Sequence, residues 1–388
     1  MSATEAIHTL AESPAPNEGF AARLRSAREM RNLSKRSLAL SAGLAPGTVN
    51  GLEDAARNVG TETVQRLASV LRVSPSWLAY GDAPVRRLLN FHVAPGYDPM
   101  AFLRHVDAVV RGVGGRLDPA MLYVDPFSAV QYAGLAERAA PVPIESATAF
   151  VDSTEPLSVI ALGSGLAHEE TRLAEILTRA TRLEDDIPVL FLFEISHTLL
   201  VAGYTHAVQH GVQAVAIEGD FRHLPSCEHL FVGRGGGPRR KLVTMLGCTL
   251  GNLPDELSFL RENLVGCVAG DLLLLDFGLR TKDPKQEAKE SWARAQPHAS
   301  FLVKPLSRVY GESAIRVEKR VVNRCPIAGS YALEVIATVN SRSFMVAQWR
   351  RYDSGLLLRA LESIGWFSLG SWHFDSTRPN CLVLLQRR

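Results

Sequence analysis

From Leu157 to Leu279 the chain alternates apolar runs with amphipathic stretches. "LSVIALG", "IPVLFLFE", "VQAVAIEGD", "RRKLVTMLGC" and "DLLLLDFG" are separated by helical patterns opening at His168, Ser196 and Pro254. Runs that are apolar at successive positions suit strands covered on both faces, and strands alternating with helices predict a parallel sheet with helices on each side. Beyond a helical pattern at "SGLLLRALESIG", the runs "WFSLGSWHF" and "CLVLLQRR" follow so closely that a hairpin must join them, adding an antiparallel strand at the sheet edge. The expectation for residues 151–388 is an α/β, Rossmann-like domain with a mostly parallel, seven-stranded sheet.

The first run breaks into its helix through "LGSGLAHEE". In doubly wound sheets a ligand lies beyond the carboxyl ends of the strands, at the switch point beside the first one. A dinucleotide fingerprint needs GxGxxG, but His168 stands at the third glycine, and the GK[ST] ending of a triphosphate loop is absent. The short turn of Gly163, Ser164 and Gly165 instead lets the backbone approach a tail without phosphates. Glu194 closes the second run and can accept two ribose hydroxyls; Asp220 closes the third and can accept from an adenine amino group, with Phe221 beside the ring. Together these three strand ends read as a site for S-adenosylmethionine (SAM), and the arrangement resembles class I methyltransferases.

A narrower resemblance lies in "LGSG", "FEIS", "GDF" and "KLVTMLGCTLGNLPDELSFLRENL…GDLLLLDFGL", which are similar to the histidine N-alpha-methyltransferase family of ergothioneine synthesis over about Leu157–Leu279. Its most specific part is LGxTxGN, here Leu246, Gly247, Thr249, Gly251 and Asn252. The resemblance implies that Gly163, Ser164 and Gly165 line the SAM tail and that Glu194, Ile195 and Ser196 form the ribose side. It implies adenine at Asp220 and Phe221, with Gly247, Thr249 and Asn252 between cofactor and acceptor. That family binds its amino-acid substrate partly through a late E-x-S-x-K-[FY] element. The nearest stretch is "VNSRSF", with Val339, Ser341, Ser343 and Phe344 in register and both charged positions lost, so histidine is not expected as the acceptor. The expected acceptor is a less polar small molecule methylated at nitrogen, walled by Tyr123, Phe127, Tyr132, Asn252 and Phe344, with Trp349 and Tyr352 as further candidates. No catalytic residue stands out, since methyl transfer asks chiefly for in-line positioning in a dry pocket.

Upstream, residues 18–82 break into short helical pieces. Ser34 is placed to cap one helix and Gly43 to turn into the next. "LSKRSLALSAGLAPGTVNGLEDAARNV…TVQRLASVLRVSPSWL" resembles the XRE (Cro and phage-repressor type) helix-turn-helix. The resemblance implies a recognition helix with Pro46, Gly47, Thr48 and Asn50 near base edges, and Lys35, Arg36 and Arg57 near phosphates. Between Glu18 and Gly81 there are nine Lys or Arg against five Asp or Glu, a basic surplus that the whole chain, at +2, does not share. Gly47 and Gly51 weaken the recognition helix, which leaves two uses open: binding operator DNA, or dimerisation.

The 388 residues exceed one ordinary domain. The expected partition is a flexible tail at 1–17, the helix-turn-helix at 18–82, a linker and helical cap at 83–150, and the methyltransferase domain at 151–388. Five scattered cysteines form no CxxC pair, and His206 and His210, four apart, read as a polar helix face, so no metal is expected. No apolar run reaches the roughly 18 residues of a membrane span, and the first residues lack a signal peptide's pattern, so a cytoplasmic homodimer is expected. The charged run 280–296 reads as a solvated helix. Three functions fit: a SAM-dependent small-molecule methyltransferase carrying a helix-turn-helix; a transcriptional regulator whose methyltransferase-like domain senses SAM or a metabolite; and a methylase of protein or nucleic acid.

Overall fold

The computed structural model describes residues 20–31, 33–54, 59–71, 73, 78–79, 90–118, 120–136, 141–151, 155, 157–181, 187–231, 239–280, 283–295, 299–375 and 379–388. They fall into two compact units, one ending at Asn90 and the other running from Phe91 to Arg388.

The first unit packs helices α1 (Phe20–Met30), α2 (Lys35–Ser41), α3 (Thr48–Asp54) and α4 (Thr61–Leu71) around Leu24, Leu38, Val49 and Leu67, all fully buried. Ser34 caps α2, its hydroxyl accepting the N–H of Ser37 at 3.0 Å. Arg28 reaches from α1 to Glu53 on α3 through two hydrogen bonds, Nε to Oε1 at 2.6 Å and Nη2 to Oε2 at 3.0 Å. A paired fork of this kind holds two short helices whose few turns could not stand alone.

The second unit is an α/β, Rossmann-like domain with a mostly parallel mixed sheet. In chain order its strands are β1 (Phe91–Val93), β2 (Gly115–Arg116), β3 (Leu157–Leu162), β4 (Val189–Glu194), β5 (Ala214–Glu218), β6 (Arg240–Met245) and β7 (Leu272–Leu279). They continue with β8 (Arg316–Val322), β9 (Tyr331–Val339), β10 (Arg342–Tyr352), β11 (Trp366–Asp375) and β12 (Pro379–Arg387). The seven expected strands run β5-β4-β3-β6-β7-β12-β11, with the first five parallel and β12 antiparallel to both neighbours. Both faces are covered: Ile160, Phe193, Ile217 and Val243 enter one apolar cluster, while Val159, Leu192, Ala216 and Leu242 enter the other. Alternate residues of each strand go opposite ways, which is why the runs are apolar throughout.

Five more strands join the same sheet. β1 pairs in parallel with β5, inside a segment expected to be linker and helix. β8, β9 and β10 form an antiparallel meander that the strand-helix alternation does not predict. Gly278 of β7 pairs with Asn380 of β12 on one side and Arg351 of β10 on the other. β10 therefore continues along the edge that β6 leaves at Met245, over the carboxyl end of the sheet. The charged run at 284–295 is helical, as expected, but it is not wholly solvated: Glu287 is buried, accepting from Arg351 Nε at 2.6 Å and from the Tyr331 hydroxyl. Among the described residues, no helix is long and apolar enough to cross a membrane.

Candidate functional site

A cavity of about 670 Å³ opens in the second unit at the carboxyl ends of β3, β4, β5 and β6. The turn after β3 takes left-handed backbone at Gly163 (φ 68°) and Gly165 (φ 52°), and again at Ala167 (φ 56°) before helix α5 (His168–Ala180). Glycine is the residue that adopts such angles without strain. Both glycines line the cavity, while Ser164 between them is buried with its hydroxyl unpartnered.

Glu194, 4% exposed, ties this turn to the next strand end. Its Oε2 accepts the N–H of Gly165 at 2.9 Å and its Oε1 that of Ser196 at 3.0 Å. Burial raises its pKa, while the N–H groups of Ser196, Gly165 and Ile195 pull the other way. Ile195 lines the cavity; Ser196 is buried and caps α6 (His197–Gln209), its hydroxyl accepting from Leu199 N–H at 3.4 Å.

Asp220 and Phe221 also line the cavity, but the Asp220 carboxylate is not a free acceptor. Its Oδ1 takes the N–H of Arg222 at 2.9 Å and its Oδ2 takes Arg222 Nε at 2.6 Å. Arg222 Nη2 reaches on to Asp118 Oδ2 at 2.6 Å, so the guanidinium spans the lip of the cavity. Phe221 meets Phe259 edge-on, with centroids 5.3 Å apart.

After β6, Gly247, Thr249 and Asn252 line the cavity. Thr249 Oγ1 donates to the Leu246 carbonyl at 2.7 Å, and Asn252 Oδ1 is buried without a partner. Cys248 holds a φ of 60°, its N–H donating to Asp276 Oδ1 at 2.8 Å. Burial pushes the Asp276 carboxyl up to about 6 against that hydrogen bond. Glu170, buried in the first turn of α5, is pushed up to about 8 by burial, with Glu169, Asp276 and Glu194 adding repulsion.

On the opposite wall Tyr123 and Tyr132 line the cavity with rings edge-on, 5.0 Å apart at 83°, backed by Phe301. Burial pushes both phenols well above their usual range. Phe127 lies on the helix Pro126–Ala136, and its side chain is outside what the structure describes. Phe344 does not wall the cavity: it is fully buried in the core beneath the β8–β10 meander. "VNSRSF" forms a hairpin whose turn residues, Asn340 and Ser341, take φ of 49° and 62°, and none of Val339, Ser341, Ser343 and Phe344 lines the cavity. Tyr352 is likewise buried, donating to Glu256 Oε1 at 2.6 Å, whereas Trp349 of the same strand does line the cavity. Sequence reasoning missed Arg116, Asp118 and Arg222, and the Ser258, Phe259 and Glu262 face of helix α7 (Glu256–Asn263). A two-residue strand carrying Arg116 leaves no periodic signal to read.

In the first unit Arg36, Pro46, Gly47 and Asn50 are exposed and Lys35 and Thr48 half-buried; Arg57 lies outside the described residues. Lys35 Nζ donates to Asn50 Oδ1 at 3.0 Å and to Asp54 Oδ1 at 3.3 Å. The rings of His206 and His210 lie with centroids 4.3 Å apart, tilted at 45°, and among the described residues no group of three metal-ligating side chains occurs.

Residues 24–78 match the family model HTH_3, a helix-turn-helix, and the first unit is a domain of that XRE type. Over 73 residues the chain is 40% identical to the HTH-type transcriptional regulator PrtR of Pseudomonas aeruginosa, spanning 19% of this chain and 28% of that protein's length. The restriction-modification controller protein C.AhdI of Aeromonas hydrophila is 37% identical, covering 15% of this chain and 89% of its own, with a TM-score of 0.15. A S-adenosylmethionine-dependent methyltransferase from Clostridium acetobutylicum is 12% identical, covering 66% of this chain and 98% of its own, with a TM-score of 0.35.

Proposed function

We propose that the second unit is a SAM-dependent methyltransferase acting on a small molecule at nitrogen, and that the first binds operator DNA or dimerises the chain. The observation that carries this reading is the convergence of three strand ends, at Gly163 and Gly165, at Glu194 and at Asp220, on one cavity together with Gly247, Thr249 and Asn252. The orphaned Asn252 Oδ1 fits a ligand that brings hydrogen-bond donors. Glu194 still has lone pairs for two hydroxyls after accepting its two N–H bonds, whereas Asp220, which accepts three bonds from Arg222, keeps one acceptor position, on Oδ1, for an amino group. When bound, the sulfonium of SAM supplies an electrophilic methyl group. The chain's part is to hold the acceptor between Tyr123, Tyr132 and Trp349 and to keep water out.

The acceptor pocket is not the one that the hairpin predicts. Trp349 is the β10 residue on the cavity, whereas Arg351 and Tyr352 of the same strand are buried against Glu287 and Glu256. With both charged positions lost from "VNSRSF", histidine is still not the expected acceptor. A second reading, a regulator whose methyltransferase-like unit senses SAM or a metabolite, draws support from the helix-turn-helix match.

Calorimetry with SAM tests the site. Glu194→Gln keeps the shape but removes the charge, and should weaken SAM by about 1.5–3 kcal/mol, the value of charge-assisted hydrogen bonds. Wild-type affinity in that variant would remove the assignment. Transfer of label from SAM to a cell-extract metabolite separates the enzyme from the sensor.

A further inference from the structure

The strand β2 is annexed to β10, with Gly115 opposite Phe344 and Arg116 opposite Met345, and Leu117 N–H donates to the Met345 carbonyl at 2.9 Å. Alternation along so short a strand sends neighbours to opposite sides. Leu117 is buried in the core, and Arg116 lines the cavity.

Among the described residues the Arg116 side chain has no hydrogen bond and no ion pair. Three carboxylates lie in its field, and each already holds another arginine. Asp118 takes Arg222 at 2.6 Å, Glu334 takes Arg320 at 2.6 Å, and Glu256 takes Arg350 at 2.5 Å. Arg116 is exposed to solvent as well as to the cavity, and partial desolvation, together with the Arg350 charge, lowers its pKa. A guanidinium keeps its proton at any working pH, so the positive charge stays, and among the described residues no carboxylate pairs with it directly. On the same cavity stand the edge-on pair Tyr123 and Tyr132, neither hydroxyl having a partner among the described residues, and the indole of Trp349.

We propose that Arg116 is the receptor for a carboxylate on the methyl acceptor, whose aromatic ring packs against Tyr123, Tyr132 and Trp349. The planar fork of a guanidinium matches a carboxylate through two parallel hydrogen bonds. The word acceptor rests on the methyltransferase reading; the anion site itself does not.

The test is calorimetry on the full chain with indole-3-acetate and its neutral isostere indole-3-acetamide, with and without saturating S-adenosylhomocysteine. The acid should bind at least tenfold tighter than the amide. Arg116→Gln should abolish the preference and Arg116→Lys should keep part of it, with S-adenosylhomocysteine affinity unchanged in both. Because Arg116 holds no protein partner, both variants should fold, which thermal melts check. Equal binding of acid and amide, binding of neither, or a preference that survives Arg116→Gln overturns the proposal. Absence of S-adenosylhomocysteine binding with the acid preference intact instead overturns the cofactor reading and leaves the anion site standing.

Discussion

Glu170 offers a stability test that is independent of any ligand. Its carboxyl is buried at 5% exposure beside Asp276 and Glu194, and is pushed from its ordinary 4.5 up to about 8, chiefly by burial. A carboxyl whose folded pKa is raised contributes its full stability below pH 4.5 and loses it as pH rises toward 8, because the unfolded chain gives up its proton first. At pH 7 that difference amounts to roughly 3 kcal/mol, and coupling to the neighbouring carboxylates makes about 1–3 kcal/mol the range to expect. Glu170→Gln copies the protonated form without its titration. The variant should match the wild type near pH 4.5 and exceed it increasingly up to pH 8, where the melting temperature of a unit this size rises by about 2–5 °C. Paired thermal melts from pH 4.5 to 8.5 read the difference directly. A variant less stable at pH 8, or a difference that does not change with pH, would refute the placement of a neutral carboxyl at this position.

Other outcomes follow from the geometry. Glu53→Gln leaves Arg28 without its buried counter-charge and should destabilise the first unit by about 3 kcal/mol, seen as lost amide protection in α1 and α3. Gly165→Ala forces a side chain into φ 52° and should cost about 1–2 kcal/mol by chemical denaturation; its Cβ would meet Tyr132 only at an ordinary 3.5 Å, so backbone strain is the whole effect. If the exposed Arg36 contacts a phosphate, Arg36→Ala should reduce the slope of log affinity for duplex DNA against log salt by about 1, and an unchanged slope removes that contact.

The central strands were legible because burial on both faces writes itself into consecutive residues: all six residues of β3 and of β4 are buried. The cavity-lining residues of the turn after β3, of Glu194 and of the Gly247–Asn252 loop could be read for the same reason, each following directly on a legible strand. Other parts depend on contacts between distant residues. Asp220 looks like an open acceptor until Arg222 is seen to bridge it to Asp118, and nothing local in either segment announces that bridge. In the meander the motif spacing misled: "VNSRSF" carries the aromatic ending, but two left-handed residues make it a hairpin tip, and the strand delivers Trp349 to the cavity instead. Which residue of a hairpin reaches a site is decided by register, and a one-residue slip would exchange Trp349 for its neighbours.

The splice of β10 onto β7 also limits how ligands enter and leave. Arg280 N–H donates to the Tyr352 carbonyl at 2.8 Å, Gln348 Nε2 to the Leu253 carbonyl at 3.0 Å, and Arg350 to the Leu253 and Pro254 carbonyls at 2.7 Å each. The Trp349 wall is thus stitched to the loop after β6 and cannot swing away without breaking backbone pairing. Arg222, also on the cavity, is held through its side chain, half in water, to Asp118 and Asp220. Its rotation would break those side-chain contacts and no strand pairing, so this wall yields more easily than the Trp349 one.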